Sequence, residues 1–224
     1  MKRYYTVILS ILLLFAFAGC ENENRVISPS ATIEWGGSLT KRPVQPISFD
    51  TVEEALAFIK KNDLESYMYE EKEKYSEMIT AFRAKGTIPV LSINENINIT
   101  GVSLNPKLAE EDMGIGYGFL YNDKYYAIRF YFFDSMYSDS ASSGIASYEK
   151  ARFGDSYLAD SRNIHVNFMQ NEYNSLITKI EDGRMFIRFI FDETYYVRVS
   201  NNVNTYEDTI NMLCNIDVSI VPII

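Results

Sequence analysis

Hydrophobic and polar positions change their period twice along this chain of 224 residues. Apolar residues run almost without interruption from 7 to 18. Between residues 50 and 86 they recur at the three-to-four spacing of helices that bury one stripe. Val52, Ala55, Leu56 and Ile59 form the first stripe, and Leu64, Tyr67, Met68, Tyr75, Met78, Ile79 and Phe82 the second. Asp50-Thr51 followed by Glu53-Glu54 supplies side-chain oxygens for the free N–H groups of a helix start. After Asn62-Asp63 the second helix is predicted to run to about Lys85, where Gly86 suits a left-handed cap.

From Pro89 onward the period falls to two, which predicts strands over 97–104, 115–121, 125–133, 163–169, 175–181, 184–191 and 195–200. Asn122-Asp123-Lys124 and Asp182-Gly183 carry turn chemistry between neighbouring strands. A helix is expected at Ile145–Phe153 within a Ser-rich stretch, another over 205–216, and a last edge strand over 218–221 ahead of Pro222. Short connections between adjacent strands favour antiparallel pairing. The expected fold class is therefore α+β, with an N-terminal helical segment, a single antiparallel meander sheet and a C-terminal helix.

The first apolar run follows Lys2 and Arg3 and ends in Phe17-Ala18-Gly19-Cys20. It is shorter than the roughly 20 residues a membrane-spanning helix needs, and its basic start and small residues describe an export signal. The cysteine at its end resembles the lipobox of bacterial lipoproteins, with Phe17 where leucine is commonest. That resemblance implies cleavage before Cys20, a diacylglyceryl group on its thiol, and a protein held on the extracytoplasmic face of a cell membrane through its N-terminal lipid. The expected organisation is a signal peptide over 1–19, a lipidated Cys20 with a flexible tether over 20–49, and one globular domain over 50–224. Residues 21–49 support the tether with Pro29, Pro43, Pro46 and Gly36-Gly37.

Losing residues 1–19 removes two cations and takes the formal charge from −9 to −11. An acidic surface argues against nucleic acid as a partner, while 47% hydrophobic residues, with aromatics at 14%, suffice for a core. With Cys20 lipidated, Cys214 has no partner for an intrachain disulfide. Its place on a stripe with Tyr206, Ile210 and Leu213 predicts a buried, structural cysteine.

Local signatures of catalysis are weak. His165 is the one histidine, and alternation with Ile164, Val166 and Phe168 puts it on the face away from the core, so no catalytic role is expected. Gly154-Asp155-Ser156 resembles the first block of GDS-type esterases. It comes late, after a helical stretch, and Arg162 stands three residues before His165 where that family has an aspartate. The stretch from Asp139 to Gly144 mimics a calcium loop, but Ala141 and Lys150 replace ligands, leaving only a loose set of Asp134, Asp139 and Glu149. Gly114, Gly116 and Gly118 alternate along a strand and open no helix, so they make no dinucleotide loop. No cofactor or metal is expected.

One pattern on the sheet carries chemistry. If Phe130, Phe189 and Val197 point into the core, alternation sends Arg129, Arg188 and Arg198 to the opposite face with Tyr125, Tyr131 and Tyr196. Cations interleaved with aromatics suit an anionic or sugar-like ligand, or an envelope protein partner. Solvated arginines covering aromatic rings are the plainer account of the same pattern.

The layout over residues 87–221, strands closed by a C-terminal helix behind an envelope anchor, is similar to the DUF4367-type domains of envelope lipoproteins and anti-sigma-factor ectodomains. That similarity implies an α+β sheet fold and a non-catalytic envelope role. The expected function is a lipid-anchored, non-enzymatic envelope protein that binds a ligand or partner, or serves sensing or assembly. The alternative is an envelope hydrolase acting on polysaccharide, peptidoglycan or ester substrates. Acids clustered around a cleft would favour the hydrolase, and an Arg/Tyr face would favour binding.

Overall fold

The computed structural model describes residues 44–92, 96–107, 113–132, 143–154, 161–179, 185–192, 194–201 and 205–223. Their elements are β1 (Ile47–Phe49), α1 (Val52–Lys61), α2 (Tyr69–Lys85), β2 (Thr87–Leu91), β3 (Ile97–Asn105), β4 (Gly114–Tyr121) and β5 (Lys124–Phe132). There follow α3 (Ile145–Phe153), β6 (Ser161–Phe168), β7 (Asn171–Lys179), β8 (Met185–Phe191), β9 (Tyr195–Asn201), α4 (Tyr206–Asn215) and β10 (Val218–Pro222).

The expected α+β class is overturned. Strands hold 48% of the described residues and helices 31%, around one large antiparallel sheet, so the fold is mainly β. Eight strands stand in the order β1-β3-β4-β5-β9-β8-β7-β6, and β2 pairs with β10 in a separate ribbon. The single meander is thus corrected as well. Two meanders, β3 to β5 and β6 to β9, face each other in reverse order and join where β5 pairs with β9.

Two strands are not among those the alternation predicts, for physical reasons. β1 has three residues, too few to show a period, and lies where a tether was expected; it pairs with β3. β2 carries Pro89 at its centre, opposite Ile220 of β10. A proline lacks the N–H that a central strand needs, but a two-stranded ribbon leaves one side of each strand unpaired. The other strands follow the alternation, with two hairpins of similar geometry. Asn122 and Asp123 take φ of 48° and 62°, and Met169 and Gln170 take 49° and 62°. Positive φ at both central positions matches the twist of the flanking strands. Asparagine and aspartate signal such a turn; methionine and glutamine do not.

One sheet face, the inner one, packs the core. Tyr117, Phe119, Ile128, Phe130, Ile187, Phe189, Val197 and Val199 are buried against Ala55 and Ile59 of α1, Met78 and Phe82 of α2, and Met212 and Leu213 of α4. Thr51 caps α1 by accepting from the Glu54 N–H at 3.2 Å. Its C-terminal carbonyls accept from Arg83 of α2, at 2.9 Å for Ile59 and 2.6 Å for Lys60, which ties the helices together. α2 starts at Tyr69, with Gly86 in the left-handed region (φ 72°) closing it.

Cys214 corrects another expectation: it is exposed. The buried side of α4 is Thr209, Met212 and Leu213, because Thr209 hydrogen-bonds Asn201 of β9 and turns the helix that way. Among the described residues no helix is long and apolar enough to cross a membrane.

Candidate functional site

The outer face of the sheet carries the candidate site, and strand register builds it. Ser48 pairs with Ser103, Ser103 with Gly116, Gly116 with Arg129, Arg129 with Arg198, and Arg198 with Arg188. Residues paired in this way point to the same side, so one row crosses β1-β3-β4-β5-β9-β8. The three arginines expected on one face are direct neighbours in it. Like charges placed directly opposite each other destabilise a sheet unless something compensates, and the molecule treats the two ends of the row differently.

Over β8 and β9 the row is covered. Ile145 and Tyr148 of α3 pack on Tyr131, Leu176 and Tyr196, all buried. Beneath the helix Glu149 is 0% and Arg188 4% exposed. Arg188 Nε lies 3.3 Å from Glu149 Oε1, and the Tyr196 hydroxyl donates to the same oxygen at 2.7 Å. The other guanidinium arm donates to Ser161 Oγ at 2.9 Å and to Thr178 Oγ1. Glu149 Oε2 is buried with no hydrogen-bond partner among the described residues. Burial pushes the Glu149 carboxyl above its ordinary value, and the downward pull of Arg188, the Tyr196 hydroxyl, Arg198 and Arg152 does not cancel that rise. Arg198 lies over the Phe186 ring, 4.4 Å from its centroid. Arg188, Tyr131 and Tyr196 therefore serve to seat α3.

Over β3, β4 and β5 the row is open, and a groove of about 470 Å³ runs from β1 to Arg129. Glycine shapes its floor. A Cβ on Gly116 would sit 2.8 Å from Ser103 Oγ and 3.1 Å from Arg129 Cγ, and one on Gly118 would sit 2.7 Å from the Tyr125 hydroxyl. The stem of Arg129 and the ring of Tyr125 thus lie across bare β4 backbone, where side chains would otherwise stand. Tyr125 is 46% exposed. Arg129 is half-buried, and among the described residues no carboxylate or hydrogen-bond acceptor engages its guanidinium. Thr100 and Ser103 bring hydroxyls to the middle, and Asp50 and Glu54 line the far end.

Of the six residues picked from the sequence, Tyr125 and Arg129 line the groove, Arg198 adjoins them in the row, and Arg188, Tyr131 and Tyr196 lie under α3. Sequence reading missed Glu149 as the counter-ion of Arg188. Ile145, Tyr148, Glu149 and Arg152 fall on one helical stripe, and an acid within an apolar stripe was the available signal.

His165 sits exposed on β6, 3.4 Å from Glu172. Asp155-Ser156, Asp134 and Asp139, Arg184, Cys20 and the tether up to residue 43 lie outside the described residues. Among the described residues no three His, Cys, Asp or Glu side chains gather as a metal site. No protein-family model matches the chain, and no curated protein or solved structure matches it.

Proposed function

We propose that this chain is a lipid-anchored envelope protein that binds an anionic or sugar-like ligand in the groove on the outer face of its sheet. The observation that carries this reading is Arg129, a half-buried residue at a groove wall whose guanidinium has no acid beside it among the described residues. A guanidinium with no acid beside it at a groove wall is placed to take a ligand anion through charge-assisted hydrogen bonds. Tyr125 offers an exposed ring next to it. The Arg/Tyr wall favours binding over hydrolysis, and the two acids of the groove, Asp50 and Glu54, stand together at the end away from that wall rather than on both sides of the cleft. The anchor rests on the Phe17–Cys20 box, and two acyl signals are the usual requirement for stable attachment.

Two measurements test it. Fatty-acid labelling of whole cells should mark the wild type and not Cys20→Ala; equal labelling would remove the anchor. Detergent-solubilised full-length protein should be retained on its own cell-envelope fraction, and Arg129→Gln/Tyr125→Ala should lose at least tenfold in retention at unchanged Tm. Unchanged retention would remove the groove as the binding site.

A further inference from the structure

The charge layout of the groove narrows the ligand to one chemical class, an inference that rests on the binding reading above. Arg129 stands at one end of the groove, three strands from Ser48. At a strand spacing of about 4.8 Å, that separates the two ends by about 14 Å. Asp50, two residues beyond Ser48, and Glu54 line the end away from Arg129. Glu54 is held there by the Asp50 N–H, which donates to its Oε2 at 3.1 Å.

The groove is therefore positive at one end and negative at the other, with the hydroxyls of Thr100 and Ser103 between. A polyanion lying along it would meet the two carboxylates, and like-charge juxtaposition excludes it. A neutral ligand would leave Arg129 without a partner. What fits is a molecule with a single anion at one end and hydroxyls along the rest. Tyr125 adds a flat apolar surface over Gly118, which suits the C–H face of a pyranose ring while its hydroxyl edge turns toward Thr100 and Ser103. Arg129 presents a planar fork, which pairs with a carboxylate through two parallel hydrogen bonds.

We propose that the groove binds a carboxylate-bearing sugar, with the acid on Arg129, the ring on Tyr125, and the distal hydroxyls reaching Asp50 and Glu54. Asp50 and Glu54 accept hydrogen bonds from hydroxyl groups and repel a second acid, so a sugar with one acidic ring outcompetes a chain of them.

Calorimetric titration of full-length protein in detergent tests this with three acid sugars: a disaccharide ending in glucuronate, one ending in galacturonate, and N-acetylmuramic acid. Each is paired with its methyl ester, which keeps the ring and removes the charge. At least one acid is expected to bind, with its ester at least tenfold weaker. Arg129→Gln should weaken the acid at least tenfold and leave the ester unchanged, whereas Tyr125→Ala should weaken both.

Equal affinity for acid and ester, or an Arg129→Gln variant that binds the acid normally, would overturn the sugar-acid assignment. So would failure of all three acids to bind. If one of those results came together with envelope retention that still depends on Arg129 and Tyr125, the groove would remain a binding site for another class. Inorganic phosphate and an acidic peptide, titrated in parallel, identify that class. Loss of the retention effect as well would remove the binding reading itself.

Discussion

Arg188 and Arg129 occupy the same row of the same sheet face, on strands separated only by β9, yet they live in different chemistry. Arg188 is roofed by α3, which lowers Glu149 onto it. Arg129 lies over a glycine and meets no acid among the described residues. Strand register put both on one face; the elements laid over that face then made one a structural ion pair and left the other to solvent or a ligand. Facing direction alone does not separate a binding arginine from a structural one. Its cover does.

The largest effect expected is at the covered end. Removing one partner of a buried pair strands the other, at a cost of about 3–5 kcal/mol. Glu149→Leu and Arg188→Met should each lose stability on that scale in urea denaturation, and the double variant should recover most of it. Two additive losses would show that the charges do not depend on each other, and the contrast with Arg129 would fail.

Next is the β4 glycine stripe. A Cβ on Gly114 would sit 2.2 Å from the Phe130 carbonyl oxygen and 2.7 Å from Tyr131 Cα, both backbone. Gly114→Ala should therefore cost about 1–3 kcal/mol by overpacking. Gly118→Ala meets the Tyr125 hydroxyl at the end of a side chain that can swing away, so it should leave stability nearly intact. A comparable loss at both would make the groove floor part of the core.

A smaller effect has a defined sign. The native Glu149 carboxyl titrates above its ordinary value of 4.5, so the folded state takes up a proton before the unfolded chain does. Its contribution to stability is fully present below the ordinary value and is lost as pH rises through the raised native one. Wild type should gain on Glu149→Gln as pH falls through that window, read as the difference in Tm. A difference that stays flat with pH would show that the native carboxyl titrates as it does in the unfolded chain, and a trend of opposite sign that its ionised form is favoured under α3.

The smallest effect belongs to the open end. Arg129→Gln should change stability by less than about 0.5 kcal/mol. A loss approaching that of Arg188→Met would make the two ends alike.

Most strands were readable because alternation is enforced wherever one sheet face packs a core, as it is for Phe130, Phe189 and Val197. The order of the strands was not, since pairing of β5 with β9 depends on residues far apart in sequence that carry no local mark. Period also told which residues share a face, which is why Arg129, Arg188 and Arg198 were found together. It did not tell that α3 would cover part of that face, so Tyr131 and Tyr196 were grouped with Tyr125 despite being buried. Cys214 was misplaced because the stripe on α4 centres on Thr209, a polar residue that alternation rules send outward and a hydrogen bond to Asn201 brings in.

The seam between β5 and β9 has a kinetic consequence. Within each meander, strands adjacent in sequence pair with each other, but β9 follows β5 only after three intervening strands and a helix among the described residues. Loop closure over such a distance is paid before its contacts form, and non-local pairing of this kind slows folding. A chain synthesised N-terminus first presents β5 well before β9. Until then Tyr125, Ile128, Phe130 and Phe132 stand on an open strand edge, the kind that recruits other chains. Folding would thus be a race between the arrival of β9 and the capture of β5 by a neighbouring chain.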